Sequence, residues 1–166
     1  MLRQGVGNCF ETTLRSLAEG RVRFIVVGGV AAAAHGAARA TYDVDVVYER
    51  SPENLDRLAV ALEPLRPYLR GAPPGLPFRW NAATLARGLN FTLTTTGGDL
   101  DLLGEITGGG RFEDLRPSSF ETEMFGVTVL CLGLEKLIEV KRAAGRPKDL
   151  EAIAELELLR DRSTPR

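Results

Sequence analysis

The apolar and polar positions between residues 24 and 48 predict a strand, a short helix and a second strand in succession. The run Phe24–Val27 is entirely apolar, as expected of a buried strand. Two glycines follow it, and the alanine-rich residues 31–38 favour a helix. In the next run, Asp43–Tyr48, acidic and apolar residues alternate at the start, which is typical of a strand with one buried face. The other predicted elements lie on either side of this unit.

Further helices and strands are predicted before and after it. Helices are predicted over 9–19, from Ser51 to the prolines at 64 and 67, over Leu134–Ala144 and over 147–161. Strands are predicted over 89–95, 99–106 and Val127–Leu132, the first two joined as a hairpin at Gly97 and Gly98. Irregular structure is predicted for 1–8, 107–119 and 71–80, the last being either a substrate lid or a connection, with a connection favoured. Together these elements predict an α/β (α+β) fold with a small, mixed and twisted sheet backed by helices.

The length and composition of the chain indicate the size of the protein and exclude one class of function. The chain has 166 residues, of which 44% are hydrophobic, so we expect one domain over 1–166 with its core at about 20–160. The net charge of −1 excludes a global polycation that would hold nucleic acid without sequence preference. A local basic patch stays open, because the three lysines, at 136, 141 and 148, all fall in one late segment.

Neither the cysteines nor the histidine predict a metal centre. Cys9 and Cys131 are far apart, match no zinc spacing and indicate no disulfide framework. His35 is the only histidine, so it is expected to pack in the fold or to contact a ribose or base rather than to bind zinc. The sequence contains no signal peptide and no apolar run of about 20 residues, from which we expect a cytoplasmic protein without a membrane span.

Two aspartates on the second strand of the central unit are candidates for metal ligation. Asp43 and Asp45 are two residues apart, so their side chains lie on one face of the strand while Val44 and Val46 face the core. Like charges at this separation repel unless a cation lies between them, and carboxylate oxygens are ligands that Mg²⁺ prefers. The alternative is a solvated strand edge without a ligand.

Together with Gly28 and Gly29, these aspartates resemble the signature of the nucleotidyltransferase superfamily of the DNA polymerase β type. That signature is a strand ending in Gly-Gly or Gly-Ser, a short helix, a strand bearing Asp-x-Asp, and a third carboxylate on a later strand. Asp101 matches the third position because apolar residues flank it on both sides, whereas Asp99 adjoins the glycine turn and is expected to be solvated. The resemblance implies that the three aspartates are catalytic and hold Mg²⁺ in a two-metal site.

A second set of residues resembles the AbiEii-like, toxin–antitoxin-associated group of nucleotidyltransferases. Arg39 and Thr41 precede the aspartates in the string Arg-x-Thr-x-Asp-x-Asp, and Lys141 stands on a late helix, before a basic turn and Asp149. The nucleotide-binding residues that the resemblance implies are Gly28, Gly29, Arg39, Thr41 and Lys141. Asp149 is expected either to orient Lys141 or to cap the last helix, with capping favoured. The alternative for the late segment is a solvated basic turn.

The resemblance implies an enzyme that moves a nucleoside monophosphate from a nucleoside triphosphate (NTP) to a hydroxyl group and releases pyrophosphate. The acceptor would be an RNA 3′ end, a protein side chain or a small molecule, and the AbiEii-like resemblance favours the first two. Two alternatives stay open. One is a catalytically silent binding module, such as an antitoxin subunit, with a cognate toxin or antitoxin as its partner. The other is a metal-dependent nuclease or phosphohydrolase, which uses similar acids.

Overall fold

The structure, a computed structural model, describes residues 6–163 and has a mixed α/β fold. The helices of this part are α1 (Val6–Glu19), α2 (Gly28–Ala34), α3 (Pro52–Leu62), α4 (Ala82–Arg87), α5 (Phe112–Leu115), α6 (Leu134–Ala144) and α7 (Pro147–Ser163). The strands are β1 (Phe24–Val27), β2 (Asp43–Tyr48), β3 (Tyr68–Leu69), β4 (Asn90–Thr95), β5 (Gly98–Leu103), β6 (Ser119–Met124) and β7 (Val127–Leu132). Short 3-10 turns follow α3 and α5. The predicted fold class, a mixed sheet flanked by helices, is confirmed.

All of these strands form one sheet in the order β3-β4-β5-β2-β1-β7-β6. β1 is antiparallel to β2 and parallel to β7, and β2 is parallel to β5. β4 and β5 form the predicted antiparallel hairpin, in which Thr95 pairs with Gly98, so the turn lies at residues 96 and 97. β2 is therefore the middle strand of the sheet, between β1 and β5.

One face of the sheet around β2 is apolar and buried. Val44, Leu100 and Leu93 lie in one row across β2, β5 and β4, and all three are almost fully buried. Helix α1 packs on α3, and α3 packs on α4. Burial of these side chains removes apolar surface from water and stabilises the sheet that positions the polar face opposite.

The opposite face of the sheet is polar, and part of it is open. β4 alternates in burial, and its residues Asn90, Thr92 and Thr94 are exposed. Asp43 and Asp45 lie on this face of β2, because their neighbours in the strand are buried on the other. Helix α2 packs against β2, and α6 and α7 pack against each other. The two aspartates thus lie between a helix-covered part of the sheet and an exposed part.

The helix predicted over 31–38 lies closer to the glycines than expected. α2 begins at Gly28 and ends at Ala34, and residues 35–42 have no regular structure. Gly36 has a φ of +104°, which ends the helix. The carboxylate of Glu155 accepts a hydrogen bond from the Ala38 amide at 2.6 Å and holds the irregular segment against α7. Alanine content indicates a helix but does not locate its ends.

Two other predicted helix boundaries are confirmed. The Ser51 hydroxyl accepts a hydrogen bond from the Asn54 amide at 3.2 Å and caps α3. Gly145 has a φ of +65° and ends α6. None of the helices within residues 6–163 is long and apolar enough to cross a bilayer.

Several short elements occur where no regular structure was predicted. β3 and α4 lie on either side of the proline-rich segment 71–80, α5 lies within 107–119, and β6 pairs with β7 at the sheet edge. α1 begins at Val6, so the prediction of irregular structure is wrong for 6–8, and residues 1–5 lie outside the described residues. The two strands in this group are held by pairing with partner strands, which their own short sequences indicate only weakly.

Candidate active site

The pairing of β2 with β5 brings the predicted acids together. The parallel register sets Asp45 beside Asp101 and Asp43 beside Asp99, all on the polar face of the sheet. One carboxylate oxygen from each of Asp43, Asp45 and Asp101 lies within 4.8 Å of the other two. We call these three residues the acid cluster. Two of its members are neighbours along β2, and the third enters from a strand more than fifty residues later.

Asp45 is the most buried acid of the cluster and fits a metal ligand. Its Oδ1 is buried and has no hydrogen-bond partner among the residues that the structure describes. Burial first, and then the neighbouring carboxylates of Asp101 and Asp43, together raise the pKa of Asp45 to about 8, whereas the charge of Lys141 opposes this shift. An unpaired buried oxygen costs free energy that a bound cation would recover. The oxygen-only donor set of the cluster suits Mg²⁺.

Gly28 gives the backbone the room that this carboxylate needs. The residue has a φ of +64°, and a Cβ atom built on it would collide with the Asp45 carboxylate. Only glycine satisfies both conditions, because it has no Cβ and tolerates a positive φ without strain. The junction between β1 and α2 therefore lies directly against the acid cluster.

Gly29 makes a similar close approach to Thr41. A Cβ atom on Gly29 would lie 2.5 Å from the Thr41 Oγ1. The same hydroxyl donates a hydrogen bond to the main-chain carbonyl of Asp43 at 3.2 Å. Thr41, predicted as a nucleotide contact, thus also fixes the chain at the start of β2 against α2.

A cavity of about 470 Å³ opens over the acid cluster. All of the predicted site residues line it: Gly28, Gly29, Arg39, Thr41, Asp43, Asp45, Asp101 and Lys141. Its other polar lining residues include Arg146 and Lys148, so basic side chains as well as the acids line the cavity. The cavity is therefore suited to a ligand that carries phosphate oxygens and a bound cation together.

Lys141 projects from α6 into this cavity and is paired with Asp149. Its side chain is 17% exposed, and its Nζ lies 3.9 Å from the Asp149 Oδ1. Burial lowers the pKa of Lys141, and the charges of Asp149 and Asp45 partly offset this. The buried Asp149 also accepts hydrogen bonds from the Arg146 Nε at 2.6 Å and from the Arg146 amide at 3.3 Å. The two predicted roles of Asp149, capping α7 and pairing with Lys141, occur together.

Arg39 lies at the rim of the cavity rather than at its base. Its guanidinium is paired with Glu151 at 3.5 Å and with Glu155 at 3.9 Å, both on α7. Its positive charge is therefore shared with two carboxylates, which weakens the case for the predicted phosphate contact. The pairing depends on where α7 lies, and the local string Arg-x-Thr-x-Asp does not contain that information.

The sequence prediction missed two residues at the site. Arg70, just after β3, donates a hydrogen bond to the Asp101 Oδ1 at 3.0 Å. Tyr42 lines the cavity and is 76% exposed, immediately before the first acid of the cluster. No local pattern marks Arg70, because β3 has only two residues. Tyr42 could have been noticed as a large aromatic residue within the Arg-x-Thr-x-Asp string.

His35, whose role the sequence left open, has structural contacts, and so does Trp80. The His35 Nε2 lies 2.9 Å from the Leu132 carbonyl oxygen, and its ring packs at 5.5 Å from that of Phe120. The Trp80 indole donates a hydrogen bond to the Ala59 carbonyl at 2.9 Å. Neither lines the cavity over the acid cluster. The packing alternative therefore accounts for His35.

The sheet order, the α2 junction and the acid cluster together define the nucleotidyltransferase fold, as predicted. A crystal structure of a putative nucleotidyltransferase from Thermotoga maritima shares it, with a TM-score of 0.58 at 17% identity, over 93% of this chain and 94% of the other. A solution structure of the antibiotic-resistance factor ANT(2″)-Ia does so with a TM-score of 0.54 at 18% identity, over 93% and 89% of the two chains. No family model and no curated protein matches the sequence. The AbiEii-like grouping stays a prediction.

Metal affinity at this site is expected to rise with pH up to about 8. The raised pKa means that Asp45 keeps its proton at neutral pH, and a metal ion must displace that proton to bind. Below pH 8 the affinity should therefore fall by up to about tenfold per pH unit, since at most one proton is displaced. Titration of Mn²⁺ followed by electron paramagnetic resonance (EPR) at several pH values measures this slope. An affinity that is constant between pH 6 and 8 would contradict the expectation.

Proposed function

We propose that the protein is a Mg²⁺-dependent nucleotidyltransferase that moves a nucleoside monophosphate from an NTP to a hydroxyl acceptor. The observation that supports this most is the acid cluster, with its unpaired buried Asp45 oxygen, in a cavity that basic side chains also line. The shared fold adds support, because one of the two similar structures is named a putative nucleotidyltransferase. The other is named an antibiotic-resistance factor.

The NTP would lie with its phosphates between α6 and the junction of β1 with α2, where Gly28 and Gly29 lie. The amides at Gly28 and Gly29 and the ammonium group of Lys141 are suited to phosphate oxygens, and the three aspartates would hold the metal. Bound Mg²⁺ would neutralise phosphate charge and lower the pKa of the attacking hydroxyl. The pairing of Lys141 with Asp149 supports its role, because Asp149 limits where the ammonium group can lie.

In the reaction, the acceptor oxygen forms a bond to the α-phosphorus while the bond from that phosphorus to the pyrophosphate oxygen breaks. The acceptor proton would pass to Asp101, the acid of the cluster nearest the exposed face of β4. The pyrophosphate leaves with the negative charge of the broken bond, beside Lys141. The two side chains assigned to these steps, Asp101 and Lys141, both line the cavity, which supports the proposal.

The acceptor would be an RNA 3′ end or a protein side chain, in line with the resemblance to the toxin–antitoxin-associated group. The likeness to an antibiotic-resistance factor keeps a small hydroxylated molecule as a third possibility. All three present a hydroxyl group, so the acid cluster does not distinguish among them.

A second candidate is a catalytically silent binding module, such as a subunit of a toxin–antitoxin pair. One observation favours it: Arg70 already neutralises part of the acid cluster, as would be expected of a site that no longer binds metal. A silent module would bind neither Mg²⁺ nor NTP and would act through a protein partner. Hydrolysis by a nuclease or phosphohydrolase is the remaining alternative, and it would release no pyrophosphate.

Label transfer tests the proposed function. The protein and its Asp45→Asn variant are incubated with each α-labelled NTP, Mg²⁺, total RNA and cell lysate, and the products are treated with ribonuclease or protease. Label that appears only with the wild type, together with pyrophosphate, supports transfer, and the sensitivity of the product identifies the acceptor class. Absence of label from every NTP would favour the silent module.

Tyr42 is expected to stack on the nucleobase. An exposed aromatic ring in the cavity wall is suited to this contact, and loss of base stacking typically costs about 1–3 kcal/mol. Tyr42→Ala should therefore raise the KM for NTP by about 5- to 150-fold with little change in kcat, whereas Tyr42→Phe, which keeps the ring, should have a KM near that of the wild type. Val60→Ala, which removes an exposed apolar side chain from α3, serves as the control. An unchanged KM in Tyr42→Ala would show that the base binds elsewhere.

A further inference from the structure

We propose that Arg70 competes with the divalent cation for the acid cluster and thereby sets the metal concentration at which the site fills. The inference rests on the proposed function, because it takes the acid cluster as the metal site. It goes further in assigning a regulatory role to a residue outside the cluster, on the edge strand side of the sheet.

The guanidinium of Arg70 reaches three carboxylates. Its Nη2 lies 3.0 Å from the Asp101 Oδ1, its Nε lies 3.4 Å from the Asp99 Oδ2, and its Nη1 lies 3.9 Å from the Asp43 Oδ2. Asp43 and Asp101 belong to the acid cluster. Arginine is suited to this bridge, because its planar group presents several N–H donors in a fixed arrangement.

A guanidinium and a metal ion that share one carboxylate oxygen repel each other. Mg²⁺ binds oxygen at about 2.1 Å, which would place it close to a guanidinium nitrogen bonded to that oxygen. Metal binding through the Asp101 Oδ1 should therefore weaken the Arg70 contact, and that contact in turn should lower the affinity for the metal. The two cations compete for the same negative charge.

The main chain at Arg70 is fixed, and its side chain is partly open to solvent. The Arg70 amide donates a hydrogen bond to the Thr92 carbonyl at 3.0 Å, and the guanidinium donates to the Leu93 carbonyl from Nη2 at 2.9 Å and from Nε at 3.3 Å. The side chain is 28% exposed, and most of the segment 71–77 that follows is exposed. Release of the carboxylates thus requires a side-chain rotation toward solvent that also breaks the hydrogen bonds to the Leu93 carbonyl.

The charges around the cluster make this contact significant. Arg70 pairs with three acids on β2 and β5, and Asp45 lies beside one of them, Asp101, in the strand register. Lys141, another cation that lines the cavity, is already paired with Asp149. Without metal, Arg70 therefore supplies most of the positive charge next to Asp101 and Asp43, and its removal should leave the carboxylates repelling one another.

Mn²⁺ titration by EPR, without nucleotide, tests the inference on four proteins. Arg70→Gln removes the charge and the bridge, and it should bind Mn²⁺ at least about tenfold more tightly than the wild type. Arg70→Lys keeps the charge but loses the planar bridge, and it should fall between the two. Arg66→Gln is the matched control, because Arg66 is exposed four residues earlier, and its affinity should equal that of the wild type.

Thermal unfolding provides a second readout. Arg70→Gln should melt at a lower temperature than the wild type without metal and should gain more from added Mn²⁺, because the metal replaces the lost positive charge. Should Arg70→Gln be too unstable to titrate, the Arg70→Lys comparison still decides the matter, since competition requires tighter binding there as well.

The outcomes separate this inference from the proposed function. Equal Mn²⁺ affinity in the wild type, Arg70→Gln and Arg70→Lys would overturn the competition and leave the metal site standing. Absence of Mn²⁺ binding in every protein, including Arg70→Gln, would overturn both. Tighter binding in Arg66→Gln as well would attribute the effect to general surface charge and overturn the role of Arg70.

Discussion

Replacing Asp45 with Asn is expected to abolish nucleotide transfer and to leave the fold intact. The change removes a metal ligand at nearly constant volume, because the buried Asn amide cannot become the carboxylate that binds a cation. Metal ions stabilise a phosphoryl transition state by several kcal/mol, so transfer should fall by about a thousandfold or more. The unfolding temperature without metal should not decrease at neutral pH, because Asn, like the protonated Asp45, carries no charge beside the neighbouring carboxylates. Initial rates of label transfer and thermal unfolding measure the two effects.

Asp99→Asn is the matched control for this variant. It makes the same chemical change on the same face of the sheet, but Asp99 is 43% exposed and lies outside the acid cluster. Its transfer rate should stay within a few-fold of the wild type. Full activity in Asp45→Asn, or equal losses in both variants, would contradict the assignment of the acid cluster as the catalytic metal site.

Gly28→Ala is expected to disrupt the site from the main chain. The new Cβ would collide with the Asp45 carboxylate, so the carboxylate or the α2 junction must move. Metal affinity and transfer should each fall by about a hundredfold, because small displacements of a reacting group carry costs of this size. The positive φ adds about 1–2 kcal/mol of strain, so the free energy of unfolding should also decrease.

Gly75→Ala separates the effect of backbone strain from the effect of the collision with Asp45. Gly75 has a φ of +91°, and no heavy atom lies within 4 Å of a Cβ built on it. The control therefore introduces backbone strain without a collision, and it should lose stability while keeping metal affinity and transfer. If Gly28→Ala bound Mn²⁺ as tightly as Gly75→Ala, the close approach to Asp45 would have no functional meaning.

The acid cluster could be predicted because most of its information is local. Strand alternation places Asp43 and Asp45 on one face, and the apolar neighbours of Asp101 identify it as an interior strand residue. The prediction that the three acids lie together came from the family resemblance, and the register of β2 with β5 agrees with that prediction. Gly28 was predicted as a phosphate contact, but its collision with the Asp45 carboxylate depends on packing between two elements.

Arg70 and the pairing of Arg39 could not be predicted, because both depend on contacts between distant segments. Arg70 meets Asp101 only because a two-residue strand pairs with β4 at the sheet edge. Arg39 meets two glutamates that are more than a hundred residues later in the chain. Neither pairing has a periodicity or a spacing that the sequence could show. Such long-range ion pairs depend on how the strands and helices are connected and aligned. The sequence predicted the fold class, but it did not predict that alignment.

The exposed polar face of β4 bears on the size of acceptor that the site can accept. Asn90, Thr92 and Thr94 are open to solvent, and Thr92 pairs directly with Asp101. The Arg70 side chain contacts Asp101 from this side of the sheet. Under the proposed function, a bulky macromolecule could therefore bring a hydroxyl to the acids along the exposed strand, and selection would rest on the pattern of donors and acceptors it presents rather than on its bulk.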